Sequence, residues 1–276
     1  MNSQKKVFFH VGLGKTGTTY LQYRVFPKFK NIHYIQRTKY HDFQYVKIIQ
    51  KSDHKRFLVS REFDRQLERE LKNIQSVLPK ARIIIVLRRQ DQWIASQYRR
   101  QVKNGKTYDF NDFIDLQNDQ GKWKKKVLYF HPKLEMIRDM FGPPLVLFHN
   151  NLKEKPHTYF RKIADFVGAD YQKKDINLKP LHKSYNKKQL KAMKAAGKFL
   201  FKNKNFNYSN NYIIKKIQRY AYMLPRYFIL YSSLLVPESW LNNKALIKDR
   251  ELEKVRNYYH DDWQKCKQFA TRYNPV

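Results

Sequence analysis

The fold is decided by residues 7–21, which read VFFHVGLGKTGTTYL. The apolar run at the start predicts a β-strand, the middle is a turn of glycine, lysine and threonine, and the end can begin a helix. A strand, turn and helix in this order direct backbone N–H groups and the positive helix end at a phosphate. Glycine lets the backbone approach a ligand closely, and Lys15 adds a mobile positive charge. The stretch therefore predicts a phosphate-binding loop; the alternative is a glycine turn without a ligand.

The spacing of this loop differs from that of the Walker A motif, G-x-x-x-x-G-K-[ST]. Gly12 and Gly17 have the required separation, but Thr18 occupies the position of the motif's lysine. Lys15 lies inside the loop instead, two residues before Gly17. We therefore do not expect an ordinary site for the γ-phosphate of ATP or GTP.

The composition describes a globular and strongly basic chain. Its 276 residues suffice for one α/β domain with a full core, and 42% of them are hydrophobic. The 57 Lys and Arg residues against 23 Asp and Glu residues give a net charge of +34. Such a charge attracts nucleotides, nucleic acids, acidic glycans and anionic lipids. Because the basic residues are spread along the whole chain, the charge alone does not select among these ligands.

Cysteine content and hydropathy bear on the location of the protein. Cys266 is the single cysteine, so an intramolecular disulfide or a cysteine-based metal site is excluded. Val7 leads directly into the glycine loop without a signal-peptide core, and no stretch reaches the ~18–20 apolar residues that span a bilayer. We therefore expect a cytoplasmic protein. Residues 222–236, the most apolar stretch, predict a core helix; an interfacial helix in peripheral contact with a membrane, or an acceptor lid, is the alternative.

Strand and helix patterns alternate along the first 170 residues. The unbroken β-branched run at residues 81–87 predicts a strand buried on both faces, as in the middle of a parallel sheet. Further strands are predicted at residues 32–35, 56–60 and 145–148, and helices at residues 40–50, 64–78, 91–103, 128–141, 157–167, 189–200, 212–224 and 252–269. We expect one α/β domain over residues 1–276, with a central parallel sheet flanked by helices. Residues 1–170 would form the nucleotide-binding core and residues 180–276 a mainly helical extension.

Polar side chains follow several of the predicted strands. In open α/β sheets ligands bind at the carboxyl ends of strands, so residues 12–19, residues 60–62 and Arg88 would share one crevice. A P-loop NTPase has a magnesium-holding aspartate where this chain has Arg88, and arginine binds phosphate without a metal. Ser96 follows eight residues later, about two helical turns on. Two phosphate clamps imply a ligand with two separate phosphates; the alternative is that Arg88 only caps a strand.

These motifs resemble those of sulfotransferases that use 3′-phosphoadenosine 5′-phosphosulfate (PAPS). Residues 14–19, GKTGTT, look like the family's 5′-phosphosulfate loop, and VLRR at residues 86–89 with Ser96 looks like its 3′-phosphate motif. The resemblance covers residues 7–168 and returns in a closing helix at residues 255–263. Relatives often carry an acidic residue where this chain has Asn150 and Asn151, which is a departure from the pattern.

The resemblance implies PAPS as co-substrate, no metal, and a role for each motif residue. Lys15 would stabilise the leaving oxygen, and Arg88 and Ser96 would bind the 3′-phosphate. The other residues implied to bind the 5′-phosphate are Gly14, Thr16, Gly17, Thr18 and Thr19.

The acceptor hydroxyl also needs a general base. Glu62 follows a predicted strand and would point into the crevice, as a glutamate does in similar carbohydrate and tyrosyl sulfotransferases. The alternative is a carboxylate that only complements a helix dipole. His54 and His182 are the other candidate bases, whereas His10, inside the first strand, is expected to be a packed histidine.

The sequence is compatible with three functions. The first is an O-sulfotransferase that binds PAPS and its product 3′-phosphoadenosine 5′-phosphate (PAP), and acts on an anionic carbohydrate or glycolipid without specific nucleic-acid binding. The second is a P-loop kinase or NTPase with an unusual loop. The third is a basic nucleic-acid- or membrane-binding protein without catalysis. We favour the first, because both phosphate motifs are present.

Overall fold

The computed structural model describes residues 5–181, 184–200, 209–240 and 244–274. Five strands form one sheet, in which all neighbouring strands are parallel and the order is β2-β3-β1-β4-β5. The strands are β1 (Lys6–His10), β2 (His33–Ile35), β3 (Arg56–Ser60), β4 (Arg82–Leu87) and β5 (Leu145–Phe148). The prediction of a central parallel sheet flanked by helices is therefore confirmed.

Twelve α-helices lie in the described part of the chain. They are α1 (Thr18–Tyr20), α2 (Gln44–Lys51), α3 (Leu67–Val77), α4 (Gln90–Lys103), α5 (Phe110–Phe113), α6 (His131–Phe141), α7 (His149–Glu154), α8 (Pro156–Val167), α9 (Lys187–Leu200), α10 (Tyr212–Ser232), α11 (Asp249–Tyr258) and α12 (His260–Tyr273). The first continues into a π-helical segment, Leu21–Val25. Short 3-10 turns complete the secondary structure at Phe26–Lys28, Arg37–Lys39, His41–Phe43, Lys125–Leu128, Lys173–Asp175 and Glu238–Trp240.

The register of the sheet brings the carboxyl ends of four strands to one edge. His10, the last residue of β1, pairs with Ser60 at the end of β3 and with Ile84 in β4. Leu87 at the end of β4 pairs with Phe148 at the end of β5. The segments that leave these strands therefore begin side by side, which is where α/β sheets bind ligands.

The chain forms two compact units. The first contains the described parts of residues 1–90, 126–181 and 259–276, and it holds the whole sheet. The second contains residues 91–125 and the described parts of residues 182–258, and it consists of helices and connecting segments. The predicted single domain over residues 1–276 stays a prediction.

The core of the first unit is apolar and closely packed. Phe8, Leu58 and Val86 from three strands are 2% exposed or less, and they pack with Phe160 and Ile163 of α8. Complete burial of such a side chain stabilises a fold by about 1.5–3 kcal/mol. The loops at the carboxyl edge of the sheet therefore start from a closely packed core.

A buried carboxylate fixes the last helix of the first unit. Asp262 of α12 is 6% exposed and accepts hydrogen bonds from the Gln90 side chain (2.7 Å) and from the backbone N–H groups of Phe130 (2.9 Å) and His131 (3.1 Å). Hydrogen bonds to a charged acceptor are stronger than those between neutral groups. These hydrogen bonds join α12 to the start of α6 and to Gln90, the first residue of α4.

The helix boundaries differ from the predicted ones mainly in the C-terminal part. The single helix predicted at residues 252–269 is wrong, because Tyr259 separates α11 from α12. Helix α10 continues through Pro225 to Ser232, beyond its predicted end. The short helices α5 and α7 were not predicted, since one or two turns are too short to show a clear periodicity.

The predicted role of residues 222–236 as a core helix is also wrong. In α10 only Arg226 and Leu230 are buried, whereas Leu224 is 65% exposed and Phe228 75% exposed. Apolar spacing defines one face of a helix, but it does not say what that face contacts. Among the described residues, no helix is long and apolar enough to cross a membrane.

Candidate functional site

The loop after β1 has the backbone shape of an anion-binding site. Lys15 and Gly17 both have a positive φ, of 70° and 87°. Left-handed residues within such a turn point successive N–H groups into one concave surface. A Cβ on Gly17 would lie 2.6 Å from the Leu152 Cδ2 atom, so glycine is needed for space as well as for its φ.

Hydrogen bonds inside the protein hold this loop in place. The buried Thr16 hydroxyl donates to the Leu13 carbonyl at 2.6 Å. The Gly14 N–H donates to the carboxylate of Asp64 at 2.8 Å. Sequence reasoning missed Asp64, which lies 50 residues from Gly14 and shows no local pattern.

Arg88 reaches the loop from the end of β4. Its Nη1 atom donates to the Lys15 carbonyl at 3.2 Å, while the Lys15 residue itself is exposed. The Arg88 guanidinium therefore lies against the backbone of the loop, as its position at the end of a strand predicted. Ser96 lies in α4, in the second unit, and its part in a phosphate site stays a prediction.

Glu62 lies beside the loop on the segment that leaves β3. This segment runs along the loop, since the Arg61 N–H donates to the His10 carbonyl (3.0 Å) and the Phe63 N–H to the Gly12 carbonyl (3.3 Å). The Thr18 hydroxyl donates a hydrogen bond to the Glu62 carboxylate. The predicted proximity of residues 12–19, Glu62 and Arg88 is thus confirmed, while their chemical roles stay predictions.

His149, which sequence reasoning did not propose for the site, also faces the loop. It is the first residue after β5, and a Cβ on Gly17 would lie 3.6 Å from its Cδ2 atom. Burial, and secondarily the positive charges of Arg88 and Lys153, lower the pKa of His149 to about 4. The imidazole is therefore neutral at neutral pH. Its position directly after an apolar strand was the signal that could have identified it.

Of the three histidines considered from the sequence, His10 and His54 do not take part in the described site. His10 is fully buried, its Nδ1 atom is 2.8 Å from the Ser60 hydroxyl, and burial lowers its pKa to about 3. It is a neutral packed histidine, as predicted. His54 is exposed at the amino end of β3, at the edge of the sheet opposite the loop, so it does not adjoin the site. His182 lies outside the described residues.

A cavity of about 490 Å³ opens in the same unit, next to the segment that carries Glu62. Arg61 and Phe63, on either side of Glu62 in sequence, are among its lining residues, together with Tyr40 and Glu70. The Tyr40 hydroxyl donates to the Glu70 carboxylate at 2.9 Å, and the Arg61 guanidinium lies 5.8 Å from the centre of the Tyr40 ring. The cavity thus combines aromatic faces with charged groups of both signs.

The arrangement as a whole can bind oxyanions and accept a proton. The loop offers N–H groups, Lys15 and Arg88 offer positive charge, and Glu62 offers a carboxylate. Within the described ranges, no group of three or more His, Cys, Asp or Glu side chains is placed to hold a metal ion. The donors present at the loop suit phosphate or sulfate groups.

The chain matches one protein-family model and resembles solved structures in fold. The family model described as the sulfotransferase domain matches residues 5–218. A solved sulfotransferase from Alicyclobacillus acidocaldarius is similar in structure, with a TM-score of 0.50, 13% identity, and coverage of 86% of this chain and 98% of that one. A mouse sulfotransferase, SULT7A1, complexed with PAP gives a TM-score of 0.48 and 13% identity, with 97% and 89% coverage. A search of curated protein sequences found no match.

Proposed function

The chain belongs to the sulfotransferase domain family, and we propose that it transfers a sulfuryl group from PAPS to a hydroxyl of an anionic carbohydrate or glycolipid. The transferase class follows from the family. The donor, the acceptor and the roles of individual residues are our proposal.

The proposal rests on one observation: the Arg88 guanidinium, the phosphate-type loop with Lys15, and the Glu62 carboxylate meet at the same strand ends. Arg88 donates to the Lys15 carbonyl, and Thr18 donates to Glu62, so all four residues lie at a single turn. A site for nucleotide binding alone has no need of a carboxylate there, since a negative charge opposes phosphate binding. A transfer to a hydroxyl does need one, as a proton acceptor.

The two phosphate groups of the donor would be bound by different elements. Backbone N–H groups of residues 16–19, together with Lys15, would hold the 5′-phosphosulfate. The Gly14 N–H already donates to Asp64, so Gly14 would contribute by letting the backbone approach the donor closely. The hydroxyls of Thr16 and Thr18 already donate to Leu13 and Glu62, so these residues would act mainly through their N–H groups. Arg88 and Ser96 would bind the 3′-phosphate, and no metal is required, because arginine neutralises phosphate directly.

Lys15 and Glu62 would have different roles in the transfer step, one at the leaving oxygen and one at the acceptor hydroxyl. The acceptor oxygen attacks sulfur while the bond from sulfur to the bridging oxygen of the 5′-phosphate breaks, and that oxygen keeps the electron pair. Lys15 would stabilise the negative charge that develops there, in the manner of an oxyanion-hole donor. Glu62 would take the proton of the acceptor hydroxyl, and Thr18 would hold its carboxylate in position.

The choice of acceptor is supported by charge and by the cavity next to the segment that carries Glu62. A net charge of +34 concentrates anionic substrates near the protein. The cavity lined by Tyr40, Arg61 and Phe63 has the mixed aromatic and polar character that sugars require. The proposal includes a cytoplasmic location, peripheral membrane contact suited to a glycolipid acceptor, and no specific nucleic-acid partner.

Radiolabelled PAPS tests the proposal directly. The protein is incubated with a desulfated anionic polysaccharide or with a glycolipid extract, and transfer of label and formation of PAP are measured. We expect label in the acceptor with wild type and almost none with Glu62→Gln. Magnesium-dependent turnover of ATP without any transfer of label would contradict the proposal and favour a kinase or NTPase.

A further inference from the structure

Helix α10 of the second unit exposes a continuous apolar face. Six large side chains follow one another at intervals of three or four residues, which places them on one side of a helix. This apolar stripe consists of Ile213, Ile217, Tyr220, Leu224, Phe228 and Tyr231, and each member is at least 58% exposed. Exposed apolar surface of this extent marks a site of contact with a protein or a membrane.

The charges on the same helix all have one sign. The sequence of α10 contains no Asp or Glu, and it carries Lys215, Lys216, Arg219 and Arg226. The first three are exposed. A helix with an apolar stripe, cations on its other faces and no acidic residue has the composition of a helix that lies in the plane of an anionic membrane surface.

A cationic cavity of about 330 Å³ lies against another side of α10, and no member of the stripe lines it. Its wall is formed by the last turn of α4, the residues just after it, and one side of α10. Met223 and Tyr227 belong to this wall, and each directly precedes a member of the stripe in sequence. The four positively charged residues of the wall are Lys103, Lys106, Arg219 and Arg226.

Aromatic rings lie against two of the positive charges of this cavity. The Arg226 guanidinium lies 3.5 Å from the centre of the Tyr222 ring, and Lys103 Nζ lies 5.3 Å from that of Tyr185. Burial, followed by the charges of Arg100 and Arg226, lowers the pKa of Lys103. A bound phosphate would offset this repulsion between like charges.

We propose that α10 docks on an anionic membrane, with the apolar stripe in the interfacial layer and a lipid headgroup phosphate in the adjacent cationic cavity. Charge complementarity selects this partner over a second copy of the chain. Two chains that each carry +34 repel one another, whereas an anionic bilayer attracts the cations of α10. Docking requires neither nucleotide nor acceptor, so the inference goes beyond the proposed reaction and does not depend on it.

Vesicle co-sedimentation tests the docking surface. The full chain is mixed with vesicles of phosphatidylcholine alone or with added phosphatidylglycerol. We expect binding only to the vesicles that contain phosphatidylglycerol. A stripe variant, Leu224→Ser with Phe228→Ser, should bind them about tenfold more weakly, since it removes two inserted side chains. Both residues are exposed, so the variant should fold.

A cavity variant, Lys106→Gln with Arg219→Gln, tests the headgroup site. We expect this variant to bind vesicles that contain phosphatidylglycerol about tenfold more weakly than wild type. The difference between variant and wild type should be larger at low salt than at high salt. The matched controls lie in the first unit on exposed positions: Lys28→Gln with Lys162→Gln for charge, and Val77→Ser with Leu178→Ser for apolar surface. Both controls should bind nearly as well as wild type.

Three results would overturn the proposal: equal binding to both kinds of vesicle, wild-type binding by either variant, or a self-associated wild type that the stripe variant converts to monomer. The last result would assign the stripe to a second copy. The change in Tm on adding PAP is measured in parallel on every variant. If PAP does not bind but vesicles do, the proposed transfer reaction fails while the docking surface stands.

Discussion

The hydroxyl of Thr18, at the end of the phosphate loop, donates a hydrogen bond to the carboxylate of Glu62, on the segment that leaves β3. The two residues are 44 positions apart in the chain. The contact ties the loop that would bind the sulfuryl donor to the group that would accept the proton of the acceptor. It makes the position of Glu62 dependent on the conformation of the loop.

Replacement of Glu62 by glutamine should abolish transfer without affecting folding. Glutamine keeps the size of the side chain and can still accept from Thr18, but it cannot take up a proton. We expect transfer to fall by about 10²–10⁴-fold, with unchanged affinity for PAP and an unchanged Tm. Glu68→Gln is the control, since Glu68 is an exposed residue of α3 paired with Lys72. Near-normal transfer by Glu62→Gln would exclude Glu62 as the base and leave two histidines as candidates, His182 and the His149 imidazole beside the loop.

Lys15 should matter more for the rate of transfer than for binding. If its ammonium meets charge that develops on the leaving oxygen, Lys15→Ala should lower kcat by about 10²–10³-fold. Affinity for PAP should fall less, because the loop N–H groups remain. Steady-state kinetics and PAP titration separate the two effects, with Lys28→Ala as the exposed control. A variant with normal kcat and poor PAP affinity would make Lys15 a binding residue only.

Stability should depend on pH through two buried histidines. The pKa values of His10 and His149 are lowered to about 3 and about 4 from 6.5. Between pH 6.5 and 4 the unfolded chain binds these protons and the folded chain does not, so the free energy of unfolding falls as the pH is lowered. Each histidine contributes up to about 1.4 kcal/mol per pH unit. Urea titrations across this range should show a smaller slope for His149→Gln; an unchanged slope would contradict the burial of a neutral His149.

The positive charge should affect the capture of acceptor and not the chemical step. With an anionic acceptor, kcat/KM should fall steeply as salt is added while kcat hardly changes, because screening acts on the encounter between free reactants. A neutral acceptor serves as the control and should show little dependence. If kcat/KM for the anionic acceptor is insensitive to salt, the net charge does not contribute to substrate capture.

The sequence was sufficient to predict the sheet and much of the site. The β-branched run of β4 and the apolar run before Gly12 predict buried strands, because parallel sheets are covered on both faces. The rule that ligands bind at carboxyl ends then brings the loop, Glu62 and Arg88 together. The hydrogen bonds from Thr18 and from Arg88 confirm that grouping.

The remaining features depend on tertiary contacts that no local pattern encodes. Asp64 meets Gly14 only because β3 pairs with β1, and His149 meets Gly17 only because β5 ends at the same edge. The exposure of α10 was missed for a similar reason. An amphipathic pattern fixes which side chains share a face, whereas the partner of that face is set by the rest of the fold.

The measurement that tests the central claim most directly is nucleotide binding in the presence of EDTA. Calorimetry and the change in Tm both report this binding. PAP should bind without magnesium and raise the Tm more than ATP does, and AMP should bind much more weakly. Arg88→Ala should remove most of this preference, since a charged bidentate contact contributes about 1.5–3 kcal/mol. The control Arg69→Ala, at an exposed arginine that pairs with Glu70, should keep it. Equal affinity of the wild type for PAP and AMP, or binding of ATP alone, would contradict the account.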